Sequence, residues 1–101
     1  MSEDTYDGPA TVHAGPQKIE VELRAAGRVE PVDGRYHWGG RIRPQERIAQ
    51  LVREGQRAVT VHIGERSGVA ARLGDLDPWG GARLIGIGTP PWPVEYTVEG
   101  P

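Results

Sequence analysis

Lys18–Arg43, KIEVELRAAGRVEPVDGRYHWGGRIR, is the stretch on which the fold turns. In its first half Ile19, Val21, Leu23, Ala25, Gly27 and Val29 take the odd positions, while Lys18, Glu20, Glu22, Arg24, Arg28 and Glu30 hold the even ones. A period of two sends successive side chains to opposite faces of a strand, so this is one long strand with a buried face and a wet face. In Arg35–Arg43 the large apolar residues Tyr36, Trp38 and Ile42 fall on even positions, against Arg35, His37, Arg41 and Arg43. Asp33-Gly34 between two alternating runs is the signal for a two-residue type I′ hairpin. With those two residues as the loop, Val32 faces Arg35, Glu30 faces His37, Val29 faces Trp38, Gly27 faces Gly40 and Ala25 faces Ile42. A turn one residue longer sets Trp38 against a charge.

Upstream of this hairpin, Ala10, Val12 and Ala14 alternate with Thr11 and His13 until Gly15-Pro16 breaks the run, which predicts a short first strand. Downstream, Pro44 ends the third strand and opens a helix as its first residue, with Ile48, Leu51 and Val52 at helical spacing and Gly55 as C-terminal cap. Val59, Val61 and Ile63 alternate, a loop runs through Gly64–Gly68, and Val69, Ala71 and Leu73 resume the pattern as a second hairpin. Asp77-Pro78-Trp79-Gly80 reads as a type I turn leading to a last strand, Ala82–Thr89, and Pro90-Pro91-Trp92-Pro93 forces an extended exit. The expected class is mostly β: a small antiparallel β-barrel or strongly bent sheet of about six strands with one short helix. Residues 1–5 are expected to be a flexible N-terminus, 6–94 a single domain and 95–101 a loose tail.

Composition narrows the function classes. A chain of 101 residues fits one domain, and 37% hydrophobic with 26% charged residues is ordinary globular usage. The absence of cysteine removes disulfides, thiolate metal sites and thiol nucleophiles. Met1–Asp7 is polar and acidic with no apolar leader, and no run approaches the ~20 apolar residues of a membrane span, so a cytoplasmic protein is expected. A net charge of −2 with Lys and Arg spread along the chain is a poor electrostatic match to nucleic acid.

Several constellations are candidates for chemistry. In the register above, Gly27 opposite Gly40 removes two side chains beside Tyr36 and Trp38, which makes a small apolar ligand pocket with His37 and Arg41 at its rim. The alternative is that these glycines let a barrel strand bend beneath covering aromatics. His37 facing Glu30 is either a general base held by a carboxylate or an exposed cross-strand pair. Asp75 and Asp77 are acid candidates or turn caps. His13, His37 and His62 share the outward parity of three strands, but none has ligand spacing with another, and no metal is expected. Gly86-Ile87-Gly88 runs into prolines instead of opening a helix and is no phosphate loop. Trp92, set between prolines, marks either a partner surface or a seal at the barrel end.

Three segments, Tyr6-Asp7-Gly8-Pro9-Ala10-Thr11-Val12, Gly27 to Trp38 and Leu73-Gly74-Asp75-Leu76-Asp77-Pro78-Trp79-Gly80, resemble the actinobacterial family of the domain of unknown function 4873, over roughly Tyr6 to Val94. The resemblance implies either a stand-alone small protein or a module beside flavin-dependent monooxygenases of the Baeyer-Villiger type. It carries no catalytic residues across, and where the family usually has a bulkier residue this chain has Gly39. The expected function is a non-enzymatic accessory or small-ligand-binding module associated with redox metabolism, with no cofactor of its own. Its expected partner is a small apolar ligand or a flavin monooxygenase. The alternatives are a small barrel enzyme of isomerase or cyclase type, and a structural homodimer or larger homo-oligomer built by sheet edges pairing across a two-fold axis.

Overall fold

In the computed structural model, which describes residues 4–92, the chain forms β1 (Asp4–Ala14), β2 (Gln17–Val29), β3 (Tyr36–Ile42), α1 (Glu46–Arg53), β4 (Ala58–His62), β5 (Val69–Leu76) and β6 (Ala82–Ile87). The six strands are antiparallel and close into a barrel in the order β1-β2-β3-β6-β5-β4. The mostly β class and the strand number follow the alternation of the sequence, and the one described helix follows the helical spacing of Ile48, Leu51 and Val52. The sheet closes, which alternation alone left open.

Odd positions of β2 and even positions of β1 and β3 point inwards, where Val12, Ile19, Leu23, Trp38, Ile42, Val61 and Leu84 are all buried to 2% exposure or less. Burying such a side chain contributes about 1.5–3 kcal/mol, and among the described residues no charged side chain is buried with them. β1 starts at Asp4, ahead of the expected Ala10, and runs beside β2 from Asp4↔Gly27 to Ala14↔Gln17. Gly8-Pro9 interrupts its alternation, and that hides its first half from a reading based on period. Among the described residues the barrel closes through three pairs, Thr11↔His62, Val12↔Val61 and His13↔Thr60.

The β2–β3 hairpin differs from expectation in register. Gly27 faces Trp38 where it was expected to face Gly40, Val29 faces Tyr36, Ala25 faces Gly40 and Leu23 faces Ile42. The loop is Pro31–Gly34, closed by Glu30 N–H to the Arg35 carbonyl at 2.8 Å and by Gly34 N–H to the Glu30 carbonyl at 2.8 Å. A type I′ turn needs positive φ at both central residues, but only Gly34, at 68°, has it. The register therefore slips by two residues. Since two is the side-chain period, every residue keeps its face while changing its partner.

The helix follows its signals closely. Gln45 Oε1 accepts from Arg47 N–H at 3.1 Å as N-cap, and Pro44 lies outside the helix instead of opening it. At the other end Gly55, φ 84°, donates to the Val52 carbonyl and Gln56 to the Leu51 carbonyl, the paired bonds of a Schellman cap. Ile48, Ala49, Leu51 and Val52 form the buried face, and the helix packs beside β5 and β6.

Candidate functional site: a trough across the outer wall

Reading outward-facing positions across the barrel wall exposes a feature that no single strand shows. Asp7 of β1 faces Arg24 of β2, Arg24 faces Arg41 of β3, and Arg41 faces Arg83 of β6. Two residues along, the next outward row is Thr5, Ala26, Gly39 and Ile85. Large side chains stand on one row and almost none on the other, so the wall carries a trough of about 1090 Å³. Ala26, Gly39 and Gly40 lie in it, Ile85 and Leu76 add apolar surface, and Arg24, Arg41, Arg83, Asp7, Asp75 and Asp77 supply charge.

Contact requires glycine at one position of this floor and leaves little room at another. A Cβ on Gly40 would overlap the Arg24 carbonyl oxygen and lie 2.6 Å from Ala25 Cα, so β2 and β3 approach too closely for any side chain. A Cβ on Gly39 would meet the Leu84 carbonyl oxygen at 3.1 Å. Two further glycines seat the arginines: Cβ positions on Gly81 and Gly74 would lie 2.7 Å from Arg41 Nε and 3.1 Å from Arg83 Cβ.

The β5–β6 ladder breaks at the same place. Leu73 pairs with Leu84 and Leu76 with Ala82, so Gly74 and Asp75 together oppose Arg83 alone. Two residues against one is a β-bulge, a device that re-aims the side chain beside it.

The charges are partnered unevenly. Arg24 reaches Asp7 at 3.4 Å with both side chains well exposed, a weak pair. Arg41 Nε donates to Asp77 Oδ2, and Asp77 Oδ1 accepts from Trp79 and Gly81 N–H, each at 2.9 Å. The Arg41 guanidinium first, and the two backbone donors with it, hold the Asp77 carboxyl down to about 2, below the ordinary 3.8. Asp75 accepts from Arg57 at 3.4 Å. Among the described residues Arg83 has no acidic partner.

Of the residues singled out from sequence, Gly40, Arg41, Asp75 and Asp77 come together here. Gly27, Tyr36, Trp38 and His37 do not. The space over Gly27 is filled by the Tyr36 ring, 2.6 Å from where a Cβ would stand, and the Trp38 indole lies over Gly86. The inner gap expected from a Gly27–Gly40 pair is thus absent, because those glycines are not paired. His37 Nε2 sits 2.8 Å from Asp33 Oδ2, not against Glu30, and Asp33 Oδ1 accepts from Arg35 N–H at 2.9 Å. That places the histidine in a turn clasp.

Trp92 is 2% exposed, stacks on Tyr6 at 6.2 Å and meets Trp38 edge-on at 5.6 Å, so it seals the barrel. The surface tryptophan is instead Trp79, 76% exposed in its turn. His13 and His62 meet at 4.2 Å across the closure seam, His37 lies apart, and among the described residues no three potential ligands gather for a metal. No described helix is long and apolar enough to cross a membrane.

Sequence reading missed Arg24, Arg83 and Ala26. The signal was present as outward parity, but the expected register put Arg24 opposite Arg43, which dissolves the row.

Comparison with known proteins gives the chain its relatives. It is 36% identical over 90 residues to uncharacterized proteins of Mycobacterium bovis and of two strains of Mycobacterium tuberculosis, a stretch that covers 89% of this chain and 25% of each relative. The chain thus spans about a quarter of the length of the curated relatives it matches. No solved structure matches it. The family model described as domain of unknown function (DUF4873) matches residues 3–94, and the chain belongs to that family.

Proposed function

We propose that this protein is a non-catalytic ligand-binding module, accessory to a redox enzyme, and that the outer-wall trough is its binding surface. The observation that carries the reading is the trough itself: a concavity of about 1090 Å³ with a floor of Ala26, Gly39 and Gly40 and charged groups along one side. Binding sites of this kind combine apolar area with a few placed polar groups. Its Asp77 carboxylate is poorly suited to proton transfer near neutral pH. Asp77, held down to about 2, stays ionised, and it is engaged by Arg41 and two backbone donors. The accessory role draws on the relatives, in which the matched stretch is a quarter of a longer chain. The redox association draws on the family resemblance.

Native mass spectrometry of the gently purified protein tests the reading. A co-purifying small molecule that is lost in Ala26→Leu, with folding unchanged, supports it. A molecule retained equally by that variant places binding elsewhere and overturns it.

A further inference from the structure

Resting on the trough as binding surface, we infer that its ligand is an oxyanion carried on a flat apolar body, and that Arg83 with Arg41 is the pair that grips the anion. Like charges directly opposite each other across strands destabilise a sheet, and here three arginines stand in one row across β2, β3 and β6. A row of this kind is tolerable on a wet face and becomes favourable once an anion sits among the guanidinium groups.

The acids nearby do not fill that role. Asp7 lies at the far end beside Arg24, Asp77 is held by Arg41 Nε and two backbone donors, and Asp75 turns to Arg57. Positive charge is left at the β6 end. Arg41 gives its Nε–H to Asp77, and among the described residues its terminal N–H groups have no acceptor and are available for a second one.

The local backbone is shaped around these two side chains. Gly81 admits the Arg41 guanidinium, Gly74 admits the stem of Arg83, and the bulge at Gly74–Asp75 falls opposite Arg83. A guanidinium offers a rigid planar fork of donors that matches carboxylate, phosphate or sulfonate oxygens two at a time. Beside the row, Ala26 and Gly39 leave a shallow apolar bed, with Ile85 48% exposed at its side. The four adjacent strands from β1 to β6, about 4.8 Å apart, make the bed about 14 Å across, room for a two-ring body laid flat on it. The anion lies at Arg83 and Arg41, and the apolar body extends along the Ala26 row.

Two dyes of the same skeleton separate the parts of this inference. The full-length protein is titrated with 8-anilinonaphthalene-1-sulfonate and with the uncharged N-phenyl-1-naphthylamine, with near-ultraviolet circular dichroism confirming a folded protein. The sulfonate should bind about tenfold tighter than the neutral dye, the size of one charge-assisted contact, and added salt should shrink that preference. Arg83→Gln should bring the two dyes to within about threefold without moving the thermal midpoint, and Arg83→Lys should keep part of the difference. Ala26→Leu should lose both dyes. Competition adds the last arm: 1-naphthoate should displace the sulfonate dye where inorganic phosphate alone does so poorly.

Equal affinity of the two dyes for the wild type, or a preference that survives Arg83→Gln, overturns the anion inference and leaves the trough standing. Phosphate displacing as well as naphthoate overturns the apolar body. If neither dye binds, or both survive Ala26→Leu, the trough reading falls and this inference falls with it.

Discussion

At one crossing of the barrel wall, glycine does opposite things on its two faces. On the inside, Gly86 lies beneath the Trp38 indole and Gly27 beneath the Tyr36 ring, so each missing side chain is replaced by an aromatic from β3. On the outside, Gly39, next to Trp38 along the same strand and paired with Ile85, has no side chain laid over it. Strand glycines are ambiguous in a sequence because both uses remove a Cβ. What separates them is whether an aromatic of the right parity is at hand to fill the gap. Inside, Tyr36 and Trp38 have that parity. Outside, Gly39 has Ala26 and Ile85 beside it in its own row and arginines in the next row, whose charged ends stay in water and leave the bed open.

The largest effect that tests this contrast is on the inside. Trp38→Ala removes the indole from Gly86 and from its edge-on contact with Trp92, and it should destabilise the fold by about 3–5 kcal/mol in urea unfolding. A loss below about 1 kcal/mol would mean that the indole is not structural packing, and the contrast between the faces breaks.

Next in size is Gly27→Val. A Cβ there lands 2.6 Å from the Tyr36 ring, so the ring must leave or the strands must part, at a cost of about 1–3 kcal/mol. Tyr36→Ala in the same chain removes the obstacle, and the double variant should be less destabilised than the sum of the two singles. Simple additivity would show that the ring and the glycine do not share the space.

On the outer face the same measurement should barely move. Ile85→Ser alters a side chain that is 48% exposed at the trough, and its effect on unfolding should be about 0.5 kcal/mol or less. The naphthyl dyes should weaken at the same time. A large loss of stability here would assign Ile85 to packing and take away the apolar side of the trough.

How far the sequence carried the reading follows from the same residues. Alternation in β2 and β3 gave the inner and outer faces correctly, because parity is a local property that survives a slip of two. The partner of each residue is not local. It depends on the loop, and Pro31 to Gly34 closed as a four-residue loop where Asp33-Gly34 had promised two. That slip moved Gly40 away from Gly27, emptied the expected inner pocket of meaning, and hid the row of Arg24, Arg41 and Arg83. The bulge at Gly74–Asp75 was equally hidden, since it exists only in the mismatch between two strands. Trp92 was open to two roles for a different reason: prolines on both sides tell of an extended backbone and nothing of burial. Asp77 as a turn cap was legible, because Asp-Pro-Trp-Gly determines its own hydrogen bonds.

The finest test sets the two faces apart by pH. Among the described residues no charged side chain is buried on the inner face, so the stability gap between wild type and Trp38→Ala should stay the same from pH 7 down to pH 2. The outer face has Asp77, held down to about 2 chiefly by Arg41, against an ordinary 3.8. Because the folded state binds that proton less tightly than the unfolded chain does, the unfolded chain protonates first as pH falls. The stabilisation is therefore complete above about pH 4 and drains away as pH falls towards 2. Asp77→Asn keeps an oxygen to accept from Trp79 and Gly81 while removing the charge seen by Arg41. Its gap from wild type in urea midpoint should be present at pH 7 and narrow steadily between about pH 4 and pH 2. A gap that stays constant over that range would mean that Asp77 holds the turn by shape alone, and that Arg41 is as free as Arg83 to meet an anion.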